Sequence, residues 1–206
     1  GAITQFLVTV TYIIAFSLIL TGTLQLAFTR FCADSLFEKS DHVILPNFGA
    51  VTLLVTLASG LLSLLAAVFL FPAQSVLFQV VLVAAFVVMS NIWIATIFLS
   101  GMKQYRAIVL LYAMGYSLTV GASFLLRDYH LEGLLLGFVI GQVGLLGGML
   151  VLITRSYPAR RAVSFELFQR GRFYPSLVLV GLFFNLGVWA DKLMFWFDDA
   201  TGSPVI

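Results

Sequence analysis

Sixty-one consecutive positions separate Asp41 from Lys103 without one Asp, Glu, Lys or Arg. As a single helix rising about 1.5 Å per residue, that stretch would run roughly 90 Å. The hydrocarbon core of a bilayer is about 30 Å thick and takes about 20 apolar residues per crossing. The chain must therefore turn back, and the apolar run breaks at Phe71-Pro-Ala-Gln-Ser75. The pattern predicts a transmembrane helical hairpin. Apolar segments at 6–28, 46–71, 76–99, 107–126, 131–153 and 175–197 are each long enough to cross. Backbone groups in lipid need partners inside their own segment, so helix is the expected state. The short alternating strands of a membrane barrel do not occur. The predicted fold class is all-α, a polytopic bundle of six transmembrane helices.

Composition agrees. The chain is 61% hydrophobic and 10% charged, with a mean hydropathy of +1.08, whereas soluble domains carry about 25% charge. The charges then set an orientation. Nine of the eleven basic residues fall in the loops after the first, third and fifth segments. They are Arg30, Lys39, Lys103, Arg106, Arg155, Arg160, Arg161, Arg170 and Arg172. Arg127 and Lys192 fall on the other side. The positive-inside rule makes the nine-residue side cytoplasmic. Tyr105, Tyr157 and Tyr174 then mark the inner ends of spans, and Tyr129, Trp189 and Trp196 the outer ends, as an aromatic belt. Topology accounts for the basic residues and the pI near 8.8, without a nucleic-acid surface. The start, Gly1-Ala-Ile-Thr-Gln5, has no initiator Met and no basic n-region, so the chain reads as an internal segment of a longer membrane protein.

The connections carry more than turns. In 29–48, Phe31, Leu36 and Phe37 alternate with Arg30, Asp34, Glu38, Lys39 and Asp41, a pattern for a short interfacial helix or an ordinary turn. Pro46 suits the first turn of the next span. In 158–173, Val163, Leu167 and Phe168 can share a helical face away from Arg160, Arg161 and Arg170. That predicts a basic amphipathic helix on the inner leaflet, long enough to link two halves of a bundle; plain topology-fixing charge is the alternative. Arg30, Asp34, Arg160, Arg161, Arg170 and Arg172 are thus candidates for contact with lipid or a cytoplasmic partner.

Within the spans, Gly133, Gly137 and Gly141 recur every four residues and are followed by Gly144, Gly147 and Gly148. They form a smooth strip where another helix can approach closely. Tyr116, Ser117, Gln142 and Asn185 fall near the midplane, with Gln25, Gln79 and Asn91 closer to the ends. Each must face a partner or a wet cavity. Amides and tyrosines both donate and accept, which suits sugar hydroxyls, although ordinary interhelical hydrogen bonding uses the same groups. Asp191 and Lys192 lie inside the last apolar run. Intramembrane charges are costly and face an interior or a cavity, unless the helix ends near Trp189 and leaves both in the headgroups. Tyr116, Ser117, Gln142, Asn185, Asp191 and Lys192 are the candidate substrate path.

No nucleotide-binding Gly-rich loop, zinc-protease motif or nucleophile elbow occurs. Gly121-Ala-Ser123 lacks a plausible His partner for a serine protease. The single Cys32 excludes an internal disulfide, and His42 and His130 are far apart, so no metal site, cofactor or catalytic residue is predicted.

Three runs carry a resemblance. They are Thr29-Arg-Phe-Cys-Ala-Asp-Ser-Leu-Phe-Glu-Lys39 with Leu45-Pro-Asn47, Arg172-Phe-Tyr-Pro-Ser176, and Asn185-Leu-Gly-Val-Trp-Ala-Asp-Lys-Leu-Met-Phe-Trp-Phe197. They resemble the PelG family, inner-membrane components of Pel exopolysaccharide secretion. That family is similar to the polysaccharide-flippase branch of the multidrug/oligosaccharidyl-lipid/polysaccharide (MOP) exporters. The resemblance implies two lobes, alternating access, and export of an amino-sugar-rich polysaccharide across the bacterial inner membrane. It implies PelD, PelE and a PelF-like glycosyltransferase as partners. On that scheme the chain covers spans two to seven. Residues 1–157 would supply five spans of the first lobe, 158–173 the linker, and 174–206 the first span of the second lobe. Asn185, Asp191 and Lys192 match an Asn followed by Asp-Arg or Asp-Lys in the seventh span of the flippase branch. A non-transporting scaffold for a synthase complex, or an exporter of lipid-linked oligosaccharide, would use the same architecture.

Overall fold

The computed structural model describes residues 1–156, 161, 163–169 and 171–197. Six long helices account for most of them: α1 (Ala2–Phe37), α2 (Ile44–Leu70), α3 (Val76–Gly101), α4 (Tyr105–Leu125), α5 (His130–Ser156) and α6 (Pro175–Phe197). No strand occurs among the described residues. Each helix is long and apolar enough to cross a bilayer, and the chain is a multi-pass membrane protein.

The helix ends follow from local chemistry. α1 runs to Phe37, well past residue 28, because no Gly or Pro lies between Thr23 and Leu45. An Arg30–Asp34 pair of 3.0 Å at i,i+4 supports the added turns. The 36-residue helix is about 54 Å long and overshoots a 30 Å core. The separate interfacial helix expected within 29–48 is therefore replaced by the projecting end of α1. Lys39 stops it in the left-handed conformation, φ 56°. Ser40 N–H then donates to Ser35 O, and Lys39 N–H to Leu36 O, satisfying the last carbonyls. Lys103, φ 58°, ends α3 in the same way.

The α2–α3 turn is the predicted hairpin. Ser75 caps α3 by accepting from Phe78 N–H at 3.1 Å. Gln79 reaches back to the carbonyl of Phe71, at the end of α2, at 2.9 Å. Ser75 Oγ also hydrogen-bonds Glu132 on α5.

α3 is the central element, packed on α1, α2 and α5, while α4 lies chiefly on α5 and α6 on α1. At the Arg30 end the rings of Phe28, Phe48 and Phe98 pack together, with centroids 4.9 to 6.3 Å apart. Deeper, Trp93 Nε1 donates to Ser17 Oγ and Asn91 Nδ2 to Thr56 Oγ1, each at 2.9 Å. Such bonds contribute roughly 0.6–2 kcal/mol apiece between membrane helices.

Segment 158–173 departs from expectation. Among its described residues, 163–165 are not helical and Glu166–Phe168 forms one 3-10 turn. Leu167 is fully buried while Val163 and Phe168 are exposed, so no common apolar face exists. External partners replace the helical ones. Ser164 N–H donates to Pro46 O at 2.9 Å, and Leu167 N–H donates to Asn47 Oδ1 at 2.8 Å. Tyr157, Arg160 and Arg170 lie outside the described residues, and Arg161 is exposed.

Candidate functional site

Residues 178, 181, 185, 189, 192 and 196 recur every three or four positions and share one face of α6, which Tyr174 just precedes. That face meets α1. At its middle, Gly181 and Gly22 bring the two backbones together. A methyl on Gly22 would come 2.9 Å from Gly181 O, and one on Gly181 would strike Gly22 O outright. Asn185 lies beside this crossing, half-buried against Gly22, with Nδ2 donating to Gly181 O at 3.0 Å. Toward the α6 C-terminus, Trp196 packs edge-on against Tyr12 of α1, with centroids 4.6 Å apart. Trp189 neighbours Trp196, and Lys192 Nζ stands 5.2 Å above the Trp189 ring. Toward the α6 N-terminus, Arg30 of α1 lies over the Tyr174 ring at 5.9 Å.

Lys192 and Asp191 pair with each other at 3.8 Å and stay more than half exposed. An exposed pair contributes only about 0–1 kcal/mol. A charge at the centre of a membrane helix costs about 2.5–3.5 kcal/mol, falling toward the ends. Stability does not account for the pair.

Gln142 belongs elsewhere. It is buried between α5 and α4, and its amide donates to Thr119 Oγ1 at 3.3 Å. Gly137 and Gly141 pack directly on Ser123 and Thr119, Gly144 and Gly148 on Leu118 and Leu111, and Gly133 on the turn at Leu126–Tyr129. That tight seam encloses Gln142. Tyr116 and Ser117 are exposed on α4; Ser117 Oγ bonds the Ala113 carbonyl, and Tyr116 stacks on Tyr112 at 5.8 Å. The six path candidates therefore form two groups: Asn185, Asp191 and Lys192 on α6, and Tyr116, Ser117 and Gln142 on α4 and α5.

Of the basic-end candidates, Arg30, Asp34 and Arg172 come together. Arg172 Nη2 meets Glu38 Oε2 at 3.1 Å, and its guanidinium lies 6.0 Å above the Phe31 ring. Sequence reading missed Glu38, Ser35 and Tyr174 as members of this cluster, and Gly22 and Gly181 as the crossing. A polar residue one turn after a lone glycine, as in Gly181-Leu-Phe-Phe-Asn185, was the available signal. Among the described residues no group of three His, Cys, Asp or Glu could hold a metal ion.

No curated protein and no solved structure matches the chain. A family profile does, over residues 1–206, under the description "Putative exopolysaccharide Exporter (EPS-E)". The chain, with its six membrane-spanning helices, belongs to the PelG family of exopolysaccharide exporters.

Proposed function

We propose that this segment translocates a Pel-type exopolysaccharide across the bacterial inner membrane by alternating access, with the α1/α6 seam lining the path. One observation carries the reading. α6 meets α1 through Gly181, Asn185 and Trp196, with Trp189 beside Trp196 and Lys192 over the Trp189 ring, among the part-buried Val178, Leu182, Leu186 and Leu193. Lipid has no use for such a stripe, and helix packing alone does not call for a lysine in it. Polymer hydroxyls can exchange hydrogen bonds with Asn185, Asp191 and Lys192, and sugar rings can lie on the two indoles. α6 packs chiefly on α1 and leaves most of its remaining surface open, as suits an element that shifts between states. The Arg-rich side is cytoplasmic on this reading. The synthase partners, PelD, PelE and a PelF-like glycosyltransferase, would meet the protein there. Tyr116 and Ser117, exposed on α4, would line the path only where a further element faces them.

The test is Lys192→Met in the full-length protein. Polymer export should fall at least tenfold, the effect of about 1.4 kcal/mol, at unchanged protein level and partner association. Normal export would remove Lys192 from the path and favour a scaffold that moves nothing.

A further inference from the structure

At the basic end of the seam a cavity of about 230 Å³ opens between the last turns of α1 and residues 171–174. Arg30, Asp34, Ser35, Glu38, Arg172 and Tyr174 line it. Its charges cancel, two guanidinium groups against two carboxylates. Each pair is joined through one atom on each side, Arg30 Nε to Asp34 Oδ2 and Arg172 Nη2 to Glu38 Oε2. Among the described residues, the remaining guanidinium N–H groups and the second carboxylate oxygens have no further hydrogen-bond partner. The Ser35 residue is 1% exposed, and its hydroxyl has no hydrogen-bond partner among the described residues. An unmade bond of that kind costs about 1–3 kcal/mol. Phe31 and Tyr174 place flat rings beneath the two guanidinium groups. Gly171, φ 97°, leaves one side open, since nothing lies within 4 Å of where its Cβ would be.

Interleaved donors and acceptors with no net charge, over aromatic rings, suit a neutral polyhydroxyl ligand better than an anion or a cation. Pockets for drug-sized ligands occupy about 300–1,000 Å³, so this one suits a single ring of a chain that continues beyond it. We propose that the cavity is the receiving subsite at the cytoplasmic mouth, binding one neutral sugar unit of the polymer before it reaches the α1/α6 seam. The inference rests on the polysaccharide reading above and adds the site and charge state of the sugar it takes.

The test uses the full-length protein in lipid nanodiscs with Phe37→Cys. Phe37 lines the cavity rim and is 91% exposed, and the native Cys32 is buried. A fluorophore on this cysteine is titrated with a short N-acetylglucosamine oligosaccharide, with its de-N-acetylated counterpart, and with glycerol phosphate. The neutral oligosaccharide should give a saturable response that the other two do not match. Asp34→Asn combined with Arg172→Gln should weaken it at least tenfold, while Val109→Ala, at an exposed position on α4, leaves it intact. If the double variant fails to accumulate, Tyr174→Leu supplies the comparison and should weaken binding likewise. No saturable response, tighter binding of either charged probe, or indifference to the cavity variants would overturn the subsite. Export measured for these variants and for Lys192→Met separates the two ideas. Normal export by Lys192→Met with cavity binding as described would remove the seam and leave the subsite standing.

Discussion

Gly181→Ala is expected to cut polymer export about tenfold or more, although it adds a single methyl group. That methyl would be driven into the Gly22 carbonyl of α1, a backbone atom that cannot swing aside as a side chain can. Overpacking of this kind costs about 1–3 kcal/mol, and more where the neighbour is rigid. Alanine returns up to about 1 kcal/mol as the better helix former. A net loss of about 1–2 kcal/mol corresponds to a roughly five- to thirtyfold fall in the closed α1/α6 arrangement, about tenfold at its middle. Gly187→Ala is the matched control. It lies on the same helix, nothing stands within 4 Å of the added Cβ, and export should be unchanged. Polymer secretion at matched protein level reads both. Equal export by the two variants would mean that the crossing is not needed.

The second large effect is expected at Asn47. Its residue is fully buried. Its Nδ2 donates to the Val43 carbonyl at 2.8 Å, which fixes the amide for the bond from Leu167 N–H. Asn47→Ala leaves the buried Leu167 N–H without a partner, a loss of about 1–3 kcal/mol. Among the described residues, the segment then keeps the Ser164–Pro46 backbone bond, the buried Leu167 side chain, and the contacts of Arg172 with Glu38 and Phe31. Trypsin should cleave at the exposed Arg161 or at Arg172 about tenfold faster than in the unaltered protein, because cleavage tracks the population of the released form. Export should fall with it. Unchanged proteolysis would show that Asn47 does not hold the segment.

Depth was legible in the sequence and azimuth was not. Six apolar runs of crossing length located six helices to within a few residues, except at the end of α1. There the charges between Arg30 and Asp41 end the apolar run but do not break a helix, since neither Gly nor Pro intervenes. Tyr116, Gln142 and Asn185 share a depth, so they looked like one site. The structure puts Gln142 into a glycine-lined seam with Thr119 and Asn185 at a different seam with Gly22. The lone glycines of the α1/α6 crossing were overlooked beside the repeated Gly133, Gly137 and Gly141, because repetition is visible in one helix and a crossing needs two. Asn47 was invisible as an anchor because its partner lies 120 positions away. The amphipathic pattern of 158–173 misled for a related reason. Leu167 is apolar because it fills a site near the start of α2, not because it shares a helix face with Val163 and Phe168.

The central claim is that polymer passes along the seam between α1 and α6. Site-specific photo-crosslinking in secreting cells tests it directly. A photoreactive amino acid is placed in the full-length protein at Asn185, at Lys192 and, as the comparison, at Val109, an exposed position on α4. Growing polymer should be captured at Asn185 and Lys192 and not at Val109. Capture at Val109 alone, or equal capture at all three positions, would contradict the account.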